Sequence, residues 1–270
     1  MATLRDELAS GAASLARVGC ETPRLDAELL LAEVLGTDRA GLVSAGSDQL
    51  TGDQRTRYTA LLTRRAMREP VAYILGRRAF RRLSLAVDPR VLVPRPETEL
   101  LVDVGLELPS GARVADVGTG SGAVALALKD ERPDLAVTGI ERDRAALAVA
   151  RANGHRLRLE IRWVEADLLD DVDYEAVLAN LPYIREGEPL PPEVAEFEPA
   201  SALFAGPDGL DAIRRLVAVV SDRDEVRTLA LEIGAGQADA VSGLLAGAGF
   251  AEVEGRRDLA GHERVVIGRR

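Results

Sequence analysis

The residues with the most specific chemical use form the segment Asn180-Leu181-Pro182-Tyr183, which follows an apolar run. The Asn180 side-chain oxygen and the Leu181 backbone carbonyl are two acceptors that could hold both N–H groups of a planar amino or amide nitrogen. Pro182 fixes the turn, and Tyr183 offers a flat face to a planar group. Because an in-line displacement needs a held nucleophile, the segment indicates methyl transfer to nitrogen, with Asn180, Pro182 and Tyr183 catalytic and all four residues substrate-binding.

A glycine loop, Asp116–Gly122, lies between a predicted strand and a predicted helix. Glycine permits a sharp turn and a close ligand, and the helix start offers free N–H groups. Glu141 could bind both ribose hydroxyls of an adenosine, and Asp167 with Leu168 could bind the adenine. The predicted cofactor-binding residues are Asp116, Gly118, Thr119, Gly120, Ser121, Gly122, Glu141, Asp167, Leu168 and Asn180. The loop also fits the dinucleotide fingerprint, so a nicotinamide dehydrogenase stays an alternative at this point.

Strands and helices alternate from about residue 110, which predicts a doubly wound α/β sheet with parallel strands. In such sheets the ligand binds beyond the carboxyl ends of the strands, where both motifs lie. Residues 1–75 have helical periodicity and predict a small helical bundle. Between them, Phe80, Leu83, Leu85 and Val87 alternate with polar positions and are followed by apolar residues 91–93. Two short strands around a turn would explain this segment.

Composition limits the classes of function. The 270 residues suffice for two domains, and the net charge of −10 argues against nucleic acid as the main partner. One cysteine, Cys20, and two histidines, His155 and His262, argue against a zinc site, and we predict no metal. The chain has neither a signal-peptide pattern nor an apolar run long enough for a membrane span. We therefore expect a cytoplasmic monomer.

An arginine-rich stretch runs from residue 55 to residue 82 and contains Glu69 as its only acid between Arg55 and Arg82. It could dock an acidic protein or ribosomal RNA. It could equally be a solvated helix face with arginine stems packed on the core, which we favour slightly. Trp163, on a predicted strand, is expected in the core.

Further segments resemble the protein-glutamine N5-methyltransferases of peptide chain release factors, the HemK or PrmC group. The matching segments are Pro70–Gly76, the signature Val93-Pro94-Arg95-Pro96-Glu97-Thr98-Glu99, Phe197-Glu198-Pro199, Leu203–Asp211, Leu231–Gly234 with Gln237, and Asp258–Gly261. The resemblance implies a substrate-recognition domain at 1–75, a β-hairpin linker at 76–93 and a seven-stranded class I methyltransferase domain at 94–270. It implies S-adenosylmethionine as cofactor and the glutamine of a Gly-Gly-Gln loop in release factors as substrate. Arg95 and Glu97 would bind substrate, although they could also form a local ion pair.

One residue departs from the family pattern. The family has Asn-Pro-Pro-Tyr where this chain has Leu181, and Asn-Leu-Pro-Tyr resembles the motif of ribosomal RNA adenine dimethyltransferases. A nucleic-acid adenine or guanine N-methyltransferase is therefore the first alternative. A non-catalytic, cofactor-binding regulatory protein is an alternative of another class.

Overall fold

The computed structural model describes residues 2–270, which form two compact units; Met1, the first residue of the predicted helical domain, lies outside the described residues. The helical unit comprises residues 2–77 and 190–197. The sheet unit comprises residues 78–189 and 198–270. A stretch of the long loop after residue 183 is thus part of the helical unit.

The helical unit is a small bundle, as predicted. Its helices are α1 (Leu4–Arg17), α2 (Pro23–Leu35), α3 (Arg39–Ser44), α4 (Gly52–Ala66), α5 (Val71–Leu75) and the short α9 (Pro192–Ala195). Thr3 and Thr51 close capping boxes that satisfy free N–H groups at two helix starts. Gly36 ends α2 with a φ of 64°, a conformation that glycine adopts without strain. Leu15, Leu30 and Tyr58 lie in the buried core.

A hairpin of β1 (Arg77–Phe80) and β2 (Leu83–Ala86) follows the first helices. Its turn lies at residues 81–82, and Phe80 and Leu85 are buried in the core of the sheet unit. The apolar residues 91–93, which could have formed a second strand, form none. The reason is a different hydrogen-bond partner: the Val93 N–H donates to the Glu198 carboxylate at 3.0 Å instead of to a neighbouring strand.

The sheet unit contains a seven-stranded sheet of order β5-β4-β3-β6-β7-β9-β8. The strands are β3 (Arg113–Val117), β4 (Ala136–Glu141), β5 (Arg162–Glu165), β6 (Ala176–Ala179), β7 (Thr228–Glu232), β8 (Glu252–Arg257) and β9 (Glu263–Arg269). The connecting helices are α6 (Glu99–Leu106), α7 (Ala123–Glu131), α8 (Arg144–Leu157), α10 (Asp211–Ser221) and α11 (Ala238–Gly247). All pairings are parallel except those of β9, which confirms the predicted doubly wound fold.

The order of the strands reverses at β3 and β6, which are neighbours although they are separated in sequence. Such a switch point opens a crevice at the carboxyl ends of the strands. The register pairs Val117 with Ala179, so the glycine loop and the Asn180 segment leave the sheet side by side.

Trp163 on β5 packs into a niche made by three glycines. A Cβ atom added at Gly139 would lie 2.3 Å from Trp163 Cζ3, and one at Gly122 would lie 3.0 Å from Trp163 Cη2. A Cβ at Gly154 would lie 3.2 Å from Trp163 Cζ2. Only glycine at position 139 leaves room for the indole ring.

Candidate active site

A cleft of about 270 Å³ lies at the switch point of the sheet unit. The predicted site residues that line it are Asp116, Gly118, Thr119, Gly120, Ser121, Glu141, Asp167, Leu168, Asn180, Leu181 and Pro182. Gly122, Tyr183, Arg95 and Glu97 are not among its lining residues. The structure therefore gathers residues from four strand ends into one cavity and places four others around it.

Asp116, which is buried near the end of β3, supports the glycine loop through hydrogen bonds. Its Oδ2 accepts hydrogen bonds from the Thr119 hydroxyl at 2.5 Å and from the Ala125 N–H at 3.0 Å. Burial raises the pKa of Asp116 to about 6 in spite of these two bonds. Asp116 and Thr119 thus use their side chains to fix the shape of the loop, which leaves the loop backbone to face the cleft.

Asn153 on α8 is fully buried and supports the same loop. Its Nδ2 donates to the carbonyl oxygens of Ser121 and Ala86, both at 3.0 Å, and its Oδ1 accepts from the Ala86 N–H at 2.8 Å. Asn153 was not among the site residues predicted from the sequence. Its only signal there is a polar position on the apolar face of a helix.

Glu141 ends β4 with its carboxylate turned to the glycine loop. Oε2 accepts a hydrogen bond from the Gly120 N–H, and Oε1 accepts one from the Asp143 N–H, each at 3.0 Å. These bonds fix an anionic group at the edge of the cleft. A carboxylate has further lone pairs for hydroxyl donors such as those of a ribose.

Asp167 and Leu168 line the cleft after β5. Asp167 Oδ2 pairs with Arg215 at 2.6 Å, and both side chains are about half exposed. Leu168 has a φ of 72°, which costs energy for a residue with a side chain. Such strain is concentrated at functional sites in proteins.

The Asn180 amide is oriented by Thr98, the last residue of the 3-10 helix Pro96–Thr98 in the signature segment. Asn180 Nδ2 donates to Thr98 Oγ1 at 3.0 Å, and Thr98 is buried. Because the amide nitrogen is bound on this side, the amide oxygen is turned the other way. Thr98 was not among the predicted site residues, although it lies inside the signature segment.

Leu181, the second residue of the segment Asn180–Tyr183, is buried against the glycine loop. A Cβ at Gly118 would lie 3.0 Å from Leu181 Cδ2, and Gly118 has a φ of 72°. The leucine side chain therefore packs directly against the loop.

Tyr183 turns its hydroxyl away from the cleft, toward Glu232 at the end of β7. The hydroxyl donates to Glu232 Oε1 at 3.3 Å, and the Tyr183 carbonyl accepts from Gln237 Nε2 at 3.0 Å. Burial and the neighbouring Glu232 raise the pKa of the Tyr183 phenol. The role predicted for the ring, packing on a planar substrate, stays a prediction.

Arg95 forms an ion pair with Glu198, and not the local pair with Glu97 that was one of the alternatives. Glu198 is buried and also accepts the Val93 N–H. Glu198 thereby connects the signature segment to the loop that follows Tyr183.

Ion pairs engage much of the arginine-rich stretch, mostly with acids from other segments. In the helical unit Arg65 pairs with Asp26 at 2.7 Å and with Glu193 at 2.8 Å, and Arg68 also pairs with Glu193. Arg55, Arg64 and Arg77 pair with Glu7, Glu69 and Glu33 in that order. In the sheet unit Arg81 pairs with Asp103 and Glu131. Each of these arginines is therefore paired with at least one carboxylate.

Several known proteins resemble this chain over most of its length. Residues 6–76 match the family described as the PrmC N-terminal domain, and residues 96–197 match the methyltransferase small domain. The chain is 39% identical to the release factor glutamine methyltransferase of Mycolicibacterium smegmatis over all of this chain and 99% of that protein. It is 43% identical to the protein of the same name from Burkholderia pseudomallei over 91% of each chain.

A solved methyltransferase from Pyrococcus furiosus superposes with a TM-score of 0.54 and 17% identity, over 79% of this chain and 98% of that chain. This likeness supports the fold. Within residues 2–270, no helix is long and apolar enough to cross a membrane.

Proposed function

The chain belongs to the release factor glutamine methyltransferase family, and we propose that it methylates the Gly-Gly-Gln glutamine of peptide chain release factors. The methyl group comes from S-adenosylmethionine and is transferred to the side-chain amide nitrogen, N5. The observation that carries the proposal is the orientation of the Asn180 amide by Thr98. Asn180 follows β6 at the point where the glycine loop follows the neighbouring strand β3.

The cleft fits S-adenosylmethionine by its chemistry. The glycine loop brings bare backbone to the cavity wall, and Glu141 supplies a fixed carboxylate for ribose hydroxyls. Asp167 and Leu168 supply an acceptor and an apolar surface for adenine. When bound, the cofactor supplies an electrophilic methyl group on a sulfonium. We propose that the loop residues 118–122 hold it through their backbone, while Asp116 and Thr119 keep the loop in shape.

The protein's own contribution to the reaction is to hold the nucleophile. In the proposed arrangement Asn180 Oδ1 and the Leu181 carbonyl accept the two N–H groups of the glutamine amide, which directs the nitrogen toward the cofactor. The Thr98 bond supports this role because it fixes which end of the Asn180 amide faces the cleft. Pro182 keeps the turn, and one proton of the methylated amide is lost to solvent water after transfer. Arg95 and Glu97 remain proposed substrate-binding residues outside the cleft wall.

Leu181 is compatible with this chemistry. Leucine has the same backbone carbonyl acceptor as proline. The buried Leu181 side chain supports the segment by packing against Gly118. We propose that this packing replaces the stiffness of the proline that the family usually has there.

The units carry separate tasks in this proposal. We assign residues 1–75 to recognition of the release factor, residues 76–93 to a linker and residues 94–270 to methyl transfer. A nucleic-acid methyltransferase is not favoured, because the full-length relatives act on release factors by name and the net charge of −10 disfavours a nucleic-acid partner.

The test is mass spectrometry of a release factor co-expressed with this protein. We expect a mass gain of one methyl group on the Gly-Gly-Gln glutamine and its loss with Asn180→Ala. The circular dichroism spectrum of the variant serves as the control for its fold. The proposal would be refuted if the glutamine stayed unmodified on co-expression with the wild-type protein, or if ribosomal RNA were methylated instead.

A further inference from the structure

Glu232 is a buried carboxyl group next to the catalytic segment that the reaction described above does not use. It ends β7, and the register pairs Ala179 of β6 with Leu231, so Asn180 and Glu232 follow on neighbouring strands. Its side chain is 1% exposed, and within residues 2–270 its Oε2 has no hydrogen-bond partner. Burying an acid in this state is costly, so its position beside Asn180 calls for a function.

Two hydroxyl groups connect Glu232 with the catalytic segment. The Tyr183 hydroxyl donates to Glu232 Oε1. Thr98 Oγ1 accepts from Asn180 Nδ2, so its own proton must point to another acceptor. The Thr98 hydroxyl lies close enough to Glu232 to lower the pKa of that carboxyl. Glu232 therefore offers one acceptor oxygen to each hydroxyl: Oε1 accepts from Tyr183, and within residues 2–270 Oε2 is not bound by another donor.

We infer that Glu232 is a positioning residue: its ionised carboxylate directs the Thr98 and Tyr183 hydroxyls and thereby holds the Asn180 amide with its oxygen toward the target nitrogen. A carboxylate only accepts hydrogen bonds, whereas a protonated carboxyl also donates one. A donating Glu232 leaves Thr98 free to turn its proton toward Asn180, and the amide then loses its fixed orientation. This inference rests on the proposed function, because it assigns a role in holding the amide of the substrate.

The charge of Glu232 changes in the pH range of ordinary assays. Burial raises the pKa of this carboxyl to about 7, and the nearby Glu97 acts in the same direction. The Thr98 and Tyr183 hydroxyls and the Arg264 guanidinium lower it. Arg264 is itself paired with Asp258 at 2.9 Å, which limits its effect on Glu232. Ionisation of Glu232, and with it the fixed Asn180 amide, therefore increases as the pH rises through neutrality.

The first measurement is the rate of glutamine methylation between pH 6 and pH 8. In the wild type we expect kcat to rise about tenfold, because ionisation of one group of pKa near 7 increases by that factor. Glu232→Gln removes the charge and keeps the shape, so kcat should be low and independent of pH. Thr98→Val should also lower kcat, and Thr98→Ser should restore it. The affinity for S-adenosylhomocysteine should be unchanged in Glu232→Gln, since Glu232 does not line the cleft.

A second measurement observes the amide without turnover. The chain has only two asparagines, Asn153 and Asn180, so selective ¹⁵N labelling of asparagine gives two side-chain amide signals. The Asn180 signal, assigned by its loss in Asn180→Ala, should shift with pH around neutrality in the wild type and not in Glu232→Gln. The buried Asn153 amide has fixed partners and is the internal control.

The inference is overturned if Glu232→Gln keeps the wild-type kcat and pH profile, or if the Asn180 signal responds to pH equally in both proteins. A wild type that leaves the release factor unmethylated but shows the pH-dependent Asn180 signal would refute the proposed substrate and keep the positioning role. The two failures are therefore distinguishable.

Discussion

Removing Arg65 should destabilise the helical unit far more than removing its neighbour Arg64. Arg65 is 5% exposed and pairs with Asp26, whose side chain is 6% exposed, and with Glu193. Arg65→Met keeps the apolar stem of the side chain and removes only the charge and its hydrogen bonds. Asp26 is then left buried without its charged partner.

The expected cost follows from the burial of the pair. Losing one partner of a buried ion pair costs about 3–5 kcal/mol, which is a large part of the roughly 5–15 kcal/mol that stabilises a typical domain. Arg64 is 42% exposed and pairs with Glu69 near the surface, so Arg64→Met should cost about 0–1 kcal/mol. The two variants differ by one position in the chain and by burial.

Urea unfolding followed by far-ultraviolet circular dichroism measures both costs, since most of the helical unit contributes to the helical signal. Equal midpoints for Arg64→Met and Arg65→Met, or a loss below about 1 kcal/mol for Arg65→Met, would refute the reasoning. The result also decides how a docking role of the arginine stretch can be tested. Reversing the charge of Arg64, Arg65 and Arg68 together would unfold the unit, whereas exposed Arg64 alone is a fair probe of docking.

Three further predictions concern the sheet unit. Glu141→Ala should weaken S-adenosylhomocysteine binding about 10- to 100-fold in calorimetry, since hydrogen bonds to a charged group are worth about 1.5–3 kcal/mol. Glu165→Ala, at the paired position of β5, is the control and should leave the affinity unchanged. Equal affinities of the two variants for S-adenosylhomocysteine would refute this prediction. Gly118→Ala should lower the same affinity at least severalfold, because a φ of 72° costs a residue with Cβ about 1–2 kcal/mol; unchanged binding would contradict it. Glu232→Gln should stabilise the protein by up to about 3 kcal/mol at pH 8, because the pKa rises from 4.5 to about 7 on folding and burial of the charged form opposes the fold there. This gain should vanish at pH 4, where the carboxyl is protonated in both states, and a gain of equal size at both pH values would contradict the assignment.

The sequence predicted the sheet well because its strands are short apolar runs that end at glycine or polar residues. The strand at residues 113–117 and the loop after it follow from local composition alone. The same holds for the cleft, since a doubly wound sheet brings the ends of its strands together. Eleven of the predicted site residues line that cleft.

What the sequence could not supply are contacts between distant segments. Thr98 meets Asn180 across 82 positions, and Tyr183 meets Glu232 across 49. No local periodicity records such pairs. The partners of the arginine-rich stretch could not be read from the sequence for the same reason, since Asp26 and Glu193, which pair with Arg65, lie outside the stretch.

The niche around Trp163 gives the protein an intrinsic optical probe. Trp163 is the single tryptophan of the chain, so its fluorescence comes from one site with no competing emitter of the same kind. That site touches Gly122, the last residue of the glycine loop. A change in the conformation of the loop on ligand binding should therefore change the environment of the indole ring. Titration of unlabelled protein with S-adenosylhomocysteine should change the emission, which turns each binding experiment proposed for the sheet unit into a direct fluorescence measurement.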